Sequence, residues 1–212
     1  MAVLPAIELA PFARRLRQLA GEELPEEGLR AVHAHYEELR RWAPTVALIG
    51  PGAVDELLER HYAESLAALP LLPPGAATVL DVGSGAGFPG LVLAALRPDL
   101  SFVLTEARER KWAFLQAACR KAGLSCRCLN VRVAPKSADE LPESIAVLTS
   151  RAVRIDLPAW EALTPRLAPG AQALFWCGEE RPELPPAFRE GRAIRLSGAR
   201  RWIREYCWQG SG

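Results

Sequence analysis

The sequence lacks the features that mark several protein classes. Its five cysteines are an odd number in 212 residues, which argues against a framework of paired disulfides. Cys126 and Cys128 form a Cys-x-Cys pair, but no second pair and no nearby histidine completes the ligand set of a zinc site. We therefore expect free thiols and no metal.

Leader and membrane segments are also missing from the sequence. The N-terminal residues do not combine a basic stretch with a following apolar one, so no signal peptide is expected. No run of about 18 apolar residues occurs, so we expect no transmembrane helix and no membrane partner. The sequence is typical of a reduced, cytoplasmic protein.

Charge is balanced overall but not along the chain. The sequence has 26 Lys and Arg against 25 Asp and Glu. Residues 1–70 hold 7 basic and 11 acidic residues, whereas the rest of the chain holds 19 and 14. A basic second part permits nucleic-acid binding but does not require it, since the basic residues are spread along the chain.

The first seventy residues predict a helical extension. Apolar residues recur at helical spacing from Phe12 to Leu19, and Gly21 is expected to end that helix. A second helix is predicted from Pro25 to about Trp42, and a third from about Pro51 through Tyr62. A proline-rich linker around residues 70–75 then separates this extension, residues 1–70, from a second domain, residues 71–212.

The second domain alternates between strand and helix patterns. Predicted helices cover residues 91–96, 111–122 and 157–167. Five strands are predicted at 78–82, 102–104, 125–131, 145–149 and 171–176, with two more around 192–196 and 202–208. This alternation predicts an α/β fold with a mostly parallel sheet and right-handed crossovers.

A glycine loop follows the first predicted strand. Residues 81–87 read Asp-Val-Gly-Ser-Gly-Ala-Gly, and closely spaced glycines let the backbone turn tightly and let a ligand approach. Because residues 85–90 also fit Gly-x-Gly-x-x-Gly, a nicotinamide dinucleotide and S-adenosylmethionine are both candidate cofactors. The candidate binding residues in the loop are Gly83, Ser84, Gly85 and Gly87.

Two acidic residues favour S-adenosylmethionine. Asp81 lies at the strand end, where a carboxylate suits the ammonium and sulfonium groups of this cofactor and is unfavourable beside a pyrophosphate. Glu106 ends the second strand, where an acid accepts hydrogen bonds from ribose hydroxyls of either cofactor, and Ala107 adjoins it. A dinucleotide enzyme and a ligand-free turn are the alternatives.

The residues after the fourth strand restrict the chemistry. Residues 149–152 read Thr-Ser-Arg-Ala, without the Asn/Asp-Pro-Pro-aromatic motif of amine methyltransferases or the Pro-Cys nucleophile of cytosine-C5 enzymes. An acceptor that needs little activation remains, such as guanine N7, for which orientation and electrostatics suffice. Arg151 is the candidate catalytic residue. It could hold a nucleobase oxygen, a phosphate or the cofactor carboxylate, or form a salt bridge with Asp81 or Glu106.

Four blocks of the chain resemble a known family. They are Arg60-His61-Tyr62-Ala63-Glu64-Ser65, residues 81–90 with their Phe88-Pro89-Gly90 ending, Glu106 with Arg110-Lys111 and Phe114-Leu115, and Ser150-Arg151-Ala152. In this order and spacing, over roughly residues 25–178, the chain resembles the small-subunit rRNA guanine-N7 methyltransferases called RsmG or GidB.

The resemblance implies a fold, a reaction and a site. The fold is a Rossmann-like class I methyltransferase, a seven-stranded, mostly parallel sheet with an N-terminal helical extension. The reaction is methyl transfer from S-adenosyl-L-methionine to N7 of a guanine in the 530 loop of 16S rRNA, within free rRNA or the 30S subunit. By position, Gly83, Phe88, Val133, Ala134 and Arg151 would contact the cofactor, with Glu106 on the ribose.

Three departures from the family pattern concern the acceptor. Val46-Ala47-Leu48 replaces Asn-Leu-Thr, Ala134-Pro135 replaces a stretch with an acidic residue, and Cys177-Gly178 replaces Lys-Gly. Two alternatives therefore stay open: a methyltransferase of this fold for a small molecule or a protein, and a cofactor-binding module without catalysis. A monomer is expected in each case.

Residues outside these motifs receive structural interpretations. His33 and His35 are expected to be solvated on opposite sides of their helix, and Trp202 and Trp208 to lie in the core. Arginines near the C-terminal end are interpreted as a basic rim or a solvated face: Arg192, Arg195, Arg200, Arg201 and Arg204.

Overall fold

A seven-stranded sheet forms the centre of the computed structural model, which describes residues 2–196 and 200–210. The strand order is β3-β2-β1-β4-β5-β7-β6, and β7 runs antiparallel to both of its neighbours, β5 and β6. The predicted fold class is confirmed. The strands are β1 Thr78–Val82, β2 Ser101–Thr105, β3 Arg127–Leu129, β4 Ile145–Arg151, β5 Leu167–Cys177, β6 Phe188–Arg195 and β7 Trp202–Trp208.

Helices cover both faces of the sheet. They are α1 Leu9–Ala20, α2 Glu26–Trp42, α3 Glu64–Leu66, α4 Gly90–Leu96, α5 Glu109–Ala122 and α6 Leu157–Leu163. One apolar cluster joins α1 and α2 to α4, α5 and one face of the sheet, and includes Phe12, Tyr36 and Phe114. A second cluster packs α6 on the other face and includes Leu148 and Trp160. The helical extension therefore shares a core with the sheet, and a domain boundary at residue 70 stays a prediction.

Strands β2, β4, β5 and β6 are longer in the structure than their sequence pattern indicated, and the extensions of β4 and β5 bear on the site. β4 continues through Ser150 to Arg151, because these two residues stay in register with Phe175 and Trp176 of β5. β5 begins at Leu167, before the Pro169-Gly170 pair that the pattern suggests as a turn. Arg151 is consequently the last residue of a central strand, not part of a free loop.

The third predicted helix is not one continuous α-helix. Pro51–Ala53 forms a 3₁₀ turn, Leu58–Ala63 a π-helical turn, and α3 follows directly. Apolar spacing detects the buried side of such a segment, here Leu57 and Tyr62, but it does not report the number of residues in each turn. Wide turns of this kind are frequent at functional sites.

The order of the strands locates the crevice of the sheet. β1 pairs with β2 on one side and with β4 on the other, and both pairs are parallel. The chain therefore reverses its direction of progress across the sheet at β1, and ligands of open α/β folds bind beyond the carboxyl ends of the strands at this point. Within residues 2–196 and 200–210, no helix is both long and apolar enough to cross a membrane.

Candidate active site

A cavity of about 520 Å³ opens at the carboxyl ends of β1, β2 and β4. This volume lies in the range of small-molecule sites. Seven of the predicted cofactor residues and the predicted catalytic Arg151, itself also a predicted cofactor contact, line the cavity: Gly83, Ser84, Gly85, Phe88, Glu106, Ala107, Val133 and Arg151. Three predicted cofactor residues, Asp81, Gly87 and Ala134, do not. None of these assignments is tested by a ligand, so the cofactor contacts stay predictions.

The glycine loop forms one side of the cavity through its backbone. The Ser84 amide donates to the Thr105 carbonyl at 2.9 Å, and the Gly83 amide donates to Thr105 Oγ1 at 3.2 Å. Gly83 and Gly85 have φ angles of 73° and 56°, a region that residues with a Cβ adopt only with strain. We call residues 83–88 together with Glu106 the glycine wall.

Asp81 supports the glycine wall from behind. Its side chain is buried; Oδ1 accepts a hydrogen bond from Thr149 Oγ1 at 2.6 Å, and Oδ2 accepts one from the Gly90 amide at 3.3 Å. Burial raises the pKa of Asp81, and these hydrogen bonds oppose the rise. The expectation that this carboxylate faces a cationic ligand does not fit its place inside the fold, where it ties the end of β1 to β4 and to the start of α4.

Glu106 is held at the cavity surface by backbone amides. Oε2 accepts from the Gly85 amide at 3.1 Å and Oε1 from the Arg108 amide at 2.8 Å. Each carboxylate oxygen has a further lone pair, so the group can accept additional hydrogen bonds without moving. This geometry suits the predicted contact with ribose hydroxyls.

The segment after β3 contributes apolar lining. Val131 and Val133 are buried and line the cavity. The Ala134 amide instead donates to Ser137 Oγ at 3.2 Å within the 3₁₀ turn Pro135–Glu140. A direct role for Ala134 therefore does not fit the cavity.

Arg151 and His61 line the cavity. Charged residues that do not line it themselves surround Arg151: Arg60, Glu64 and Arg201. Arg151 Nη2 donates to Glu64 Oε2 at 2.8 Å and also to the Arg60 carbonyl. Arg201 Nη2 lies 2.5 Å from Glu64 Oε1. The partner of Arg151 is thus Glu64 and neither Asp81 nor Glu106, the two acids that the sequence suggested. We call Arg60, His61, Glu64, Arg151 and Arg201 the arginine wall.

Burial and charge act together on the arginine wall. Burial lowers the pKa of Arg151, while the Glu64 carboxylate opposes this change. Burial raises the pKa of Glu64, and the surrounding arginines oppose that rise. Burial and, next, the charge of Arg151 lower the pKa of His61 to about 3. The His61 imidazole, which lines the cavity with its ring centroid 5.0 Å from that of Phe88, is therefore neutral at pH 7.

His35 lies between the two walls, a role that the sequence interpretation missed. It is fully buried, its Nε2 lies 2.8 Å from the Ala86 carbonyl, and its Nδ1 lies 2.8 Å from the Tyr62 hydroxyl. Burial lowers its pKa to about 4, so the neutral ring donates to Ala86 and accepts from Tyr62. The expectation of a solvated His35 was wrong. Its spacing of three from Val32 and four from Leu39 was the available signal for the apolar face.

Basic residues occur near the C-terminal end and also at the cavity, where Arg132 pairs with Asp156 and Arg154 with Glu183. Arg108, Lys111, Arg132 and Arg154 line the cavity. The predicted C-terminal rim is largely paired with acids: Arg192 with Glu205, Arg200 with Glu179, Arg201 with Glu64 and Arg204 with Glu190. Trp208 is buried as expected, but Trp202 is only half-buried, under the Arg204 guanidinium at 5.3 Å.

The polar stretch that the family resemblance led us to expect is apolar here. Leu48 and Ile49 are buried and line the cavity. Within the described part of the chain, no group of three or more His, Cys, Asp or Glu residues could hold a metal ion.

Comparison with known proteins places this site in a family. Residues 29–183 match the GidB family model, described as rRNA small subunit methyltransferase G. "Ribosomal RNA small subunit methyltransferase G" of Myxococcus xanthus is 39% identical over 166 residues, covering 77% of this chain and 76% of the relative. The protein of the same name from Desulfotalea psychrophila is 38% identical over 151 residues, covering 69% and 68%.

Solved structures support the fold. A SAM-dependent methyltransferase from Aquifex aeolicus aligns with a TM-score of 0.52 at 20% identity, covering 75% of this chain and 98% of that one. TrmN from Thermus thermophilus aligns with a TM-score of 0.54 at 19% identity, covering 69% and 48%. These structural matches support the fold alone, whereas the sequence matches identify the family. The resemblance noted from the motifs is confirmed: the chain belongs to the rRNA small subunit methyltransferase G family.

Proposed function

We propose that this protein transfers a methyl group from S-adenosyl-L-methionine to N7 of a guanine in the 530 loop of 16S rRNA. As a member of its family, the chain is an S-adenosylmethionine-dependent rRNA methyltransferase. The choice of base and atom is the proposal. It rests on one observation: among the described residues that line the cavity, no group is ready to remove a proton from the acceptor.

Each titratable group that could act as a base is otherwise engaged. Glu106 accepts hydrogen bonds from two backbone amides. Asp156 caps α6 by accepting from the Ala159 amide at 3.1 Å, and it lies 3.5 Å from Arg132. With a pKa of about 3, His61 is a poor proton acceptor. Guanine N7 has an in-plane lone pair and no proton to lose, so it suits such a site.

The residues present fit the cofactor. Glu106 would accept hydrogen bonds from the ribose hydroxyls, Val131 and Val133 would pack against the adenine, and the backbone of residues 83–85 would let the ligand approach. A donor of Arg151 described below would bind an anionic oxygen. The bound cofactor supplies an electrophilic methyl group. The chain itself contributes orientation of the acceptor along the line of transfer.

The mouth of the cavity suits a polyanion. Arg108, Lys111, Arg132 and Arg154 are grouped there, and such cations pair with the phosphates of RNA. Val153 and Leu157 are 41% and 72% exposed next to these cations, and offer apolar contact to an unstacked base. We propose 16S rRNA, free or within the 30S subunit, as the partner, and a monomer as the active form.

The proposal is tested on 30S subunits and deproteinised 16S rRNA from a bacterial strain that lacks its own enzyme of this family. Tritiated S-adenosylmethionine measures transfer, and borohydride reduction followed by aniline cleavage maps N7-methylguanine by primer extension. We expect one new cleavage site, in the 530 loop, with the purified protein, and none when the cofactor is omitted. Tritium incorporation without aniline cleavage would assign another atom, and no incorporation would assign another acceptor.

A further inference from the structure

One carboxylate joins three distant segments of the chain beside the cavity. Glu64 lies in α3, Arg151 ends β4, and Arg201 directly precedes β7. The Glu64 side chain is 5% exposed; its Oε2 accepts a hydrogen bond from Arg151 Nη2, and its Oε1 forms an ion pair with Arg201 Nη2 at 2.5 Å. Its backbone carbonyl also accepts from Trp176 Nε1 of β5, at 2.8 Å. The position of the Glu64 carboxylate is therefore set from several sides.

Arg151 keeps one donor nitrogen unused. Nη2 serves both Glu64 and the Arg60 carbonyl, whereas Nη1 is buried and has no hydrogen-bond partner among the residues that the structure describes. A buried donor without a partner is unfavourable, and such groups in native proteins are rare. Since Arg151 lines the cavity, an oxygen of a bound ligand would satisfy Nη1.

The geometry of guanidinium makes Glu64 decisive for this donor. The group is planar and rigid, so the contacts that fix Nη2 also fix the direction of Nη1. The arginine wall still has more positive than negative charge when its neighbour Glu56, 3.5 Å from Arg60, is included. Three arginines then face two carboxylates, Glu64 and Glu56, and His61 is neutral. A negatively charged oxygen is therefore the favoured partner.

We propose that Glu64 is a positioning residue, which holds Arg151 so that Nη1 receives an anionic oxygen of a ligand. Arg201 anchors the second oxygen of Glu64 and keeps the carboxylate from following Arg151. The anionic oxygen belongs either to the amino-acid carboxylate of the cofactor or to a phosphate of the RNA. This inference rests on the proposed function, because that function supplies both ligands, the cofactor and the RNA.

Calorimetry of the full-length protein with two ligands distinguishes the sources. S-Adenosylhomocysteine keeps the carboxylate, and 5′-methylthioadenosine lacks the whole amino-acid part. If the oxygen belongs to the cofactor, Glu64→Gln weakens S-adenosylhomocysteine binding about 10-fold or more, the scale of a hydrogen bond to a charged group, and leaves methylthioadenosine binding unchanged. If it belongs to RNA, both cofactor ligands bind as before, and the affinity for a 530-loop RNA, measured by fluorescence anisotropy, falls by a similar factor.

Two further variants control for folding. Glu38→Gln alters another buried carboxylate, which accepts from Trp42 Nε1 at 2.7 Å and pairs with Arg41 on α2 away from the cavity; neither affinity should change. Glu64→Asp retains the charge on a shorter side chain, and we expect it to lose a few-fold in affinity, less than Glu64→Gln loses. Should Glu64→Gln fail to fold, Glu64→Asp decides, because shortening the side chain still withdraws the carboxylate and should weaken the same ligand by a few-fold.

The result that would contradict the positioning role of Glu64 differs from the result that would contradict the proposed function. Folded Glu64 variants that bind S-adenosylhomocysteine as the wild type does, with RNA affinity unchanged or absent in both proteins, exclude the positioning role. Absence of methyl transfer to rRNA would contradict the proposed function, while the calorimetric comparison with S-adenosylhomocysteine would remain valid.

Discussion

The two walls of the cavity are built in different ways. The glycine wall consists mainly of backbone, and the hydrogen bonds of Ser84 and Gly85 connect it to the end of the neighbouring strand β2. The arginine wall consists of side chains from the helical extension, from β4 and from the residue before β7. Backbone geometry is determined by a short local motif, whereas an ion cluster depends on residues that only the complete fold brings together. We therefore expect substitutions in the glycine wall to act mainly through steric clashes, and substitutions in the arginine wall to act mainly through lost charge pairing.

The largest expected effect tests the packing behind the glycine wall, at Gly90, where α4 begins. A Cβ on Gly90 would lie 2.6 Å from both Asp81 Oδ2 and Leu104 Cδ2, all in the buried core. We expect Gly90→Ala to lower the free energy of unfolding by about 3 kcal/mol through overpacking and to weaken S-adenosylhomocysteine binding. Urea unfolding and calorimetry measure the two effects. Gly52→Ala is the control, because no described residue other than its chain neighbours has an atom within 4 Å of that Cβ; an equal loss in both variants would contradict the steric account.

The next effect concerns the histidine that joins the walls. An unfolded histidine takes up a proton below pH 6.5, but His35 in the folded protein does so only near pH 4. Between these values the unfolded state binds more protons, so stability falls as the pH falls. His35 alone should lower the free energy of unfolding by about 2 kcal/mol between pH 7 and pH 5.

The test compares wild type with His35→Gln by urea unfolding at both pH values. At pH 7 the variant should be less stable than the wild type, because it loses the hydrogen bonds of His35 with Ala86 and Tyr62. Between pH 7 and pH 5, however, its free energy of unfolding should fall by about 2 kcal/mol less than that of the wild type. His61 shifts the pH dependence in the same direction in both proteins, so it cancels in the comparison. Parallel pH profiles would show that His35 is not the group responsible.

Substitution of His61, in the arginine wall, should have a smaller effect than the two substitutions above. His61→Phe keeps an aromatic ring against Phe88 but removes both ring nitrogens from the cavity. We expect kcat/KM for rRNA to fall about 10-fold, the scale of one hydrogen bond, with S-adenosylhomocysteine affinity unchanged. Tritium-transfer kinetics and calorimetry provide the two measurements. Equal losses in both would assign His61 to packing of the glycine wall instead.

The smallest effect on stability is expected at the mouth of the cavity. Arg132 and Asp156 are 3.5 Å apart with side chains 76% and 46% exposed, and such surface pairs contribute about 0–1 kcal/mol. Arg132→Gln should leave stability almost unchanged but reduce by about 1 the slope of log affinity for RNA against log salt. Arg14→Gln, on the exposed surface of α1, should leave that slope as it is. A change in stability without a change in slope would remove Arg132 from the RNA surface.

The sequence predicted the glycine wall better than the arginine wall for a physical reason. Strand and helix periodicity placed the loop at residues 83–88, directly after β1. Glu106 follows β2, and because adjacent parallel strands end at the same edge of the sheet, the pattern also placed Glu106 beside the loop. Arg151 was recognised, but its partner Glu64 lies 87 residues away in the chain, and no spacing rule connects them. A carboxylate at a strand end can face either the crevice or the core, so the sequence alone did not indicate that Asp81 is buried behind the glycine wall. Only the positions of Thr149 and Gly90 decide between the two.

The Glu64–Arg201 contact has a consequence for the order in which the protein is made. β7 lies between β5 and β6 in the sheet, and Arg201, which directly precedes it, supplies one of the two arginines of Glu64. A ribosome therefore completes the glycine wall at Glu106, 95 residues before it adds Arg201, the last member of the arginine wall. A nascent chain can acquire the fold around β1 early, but its site gains full charge complementarity only after the final hairpin has paired.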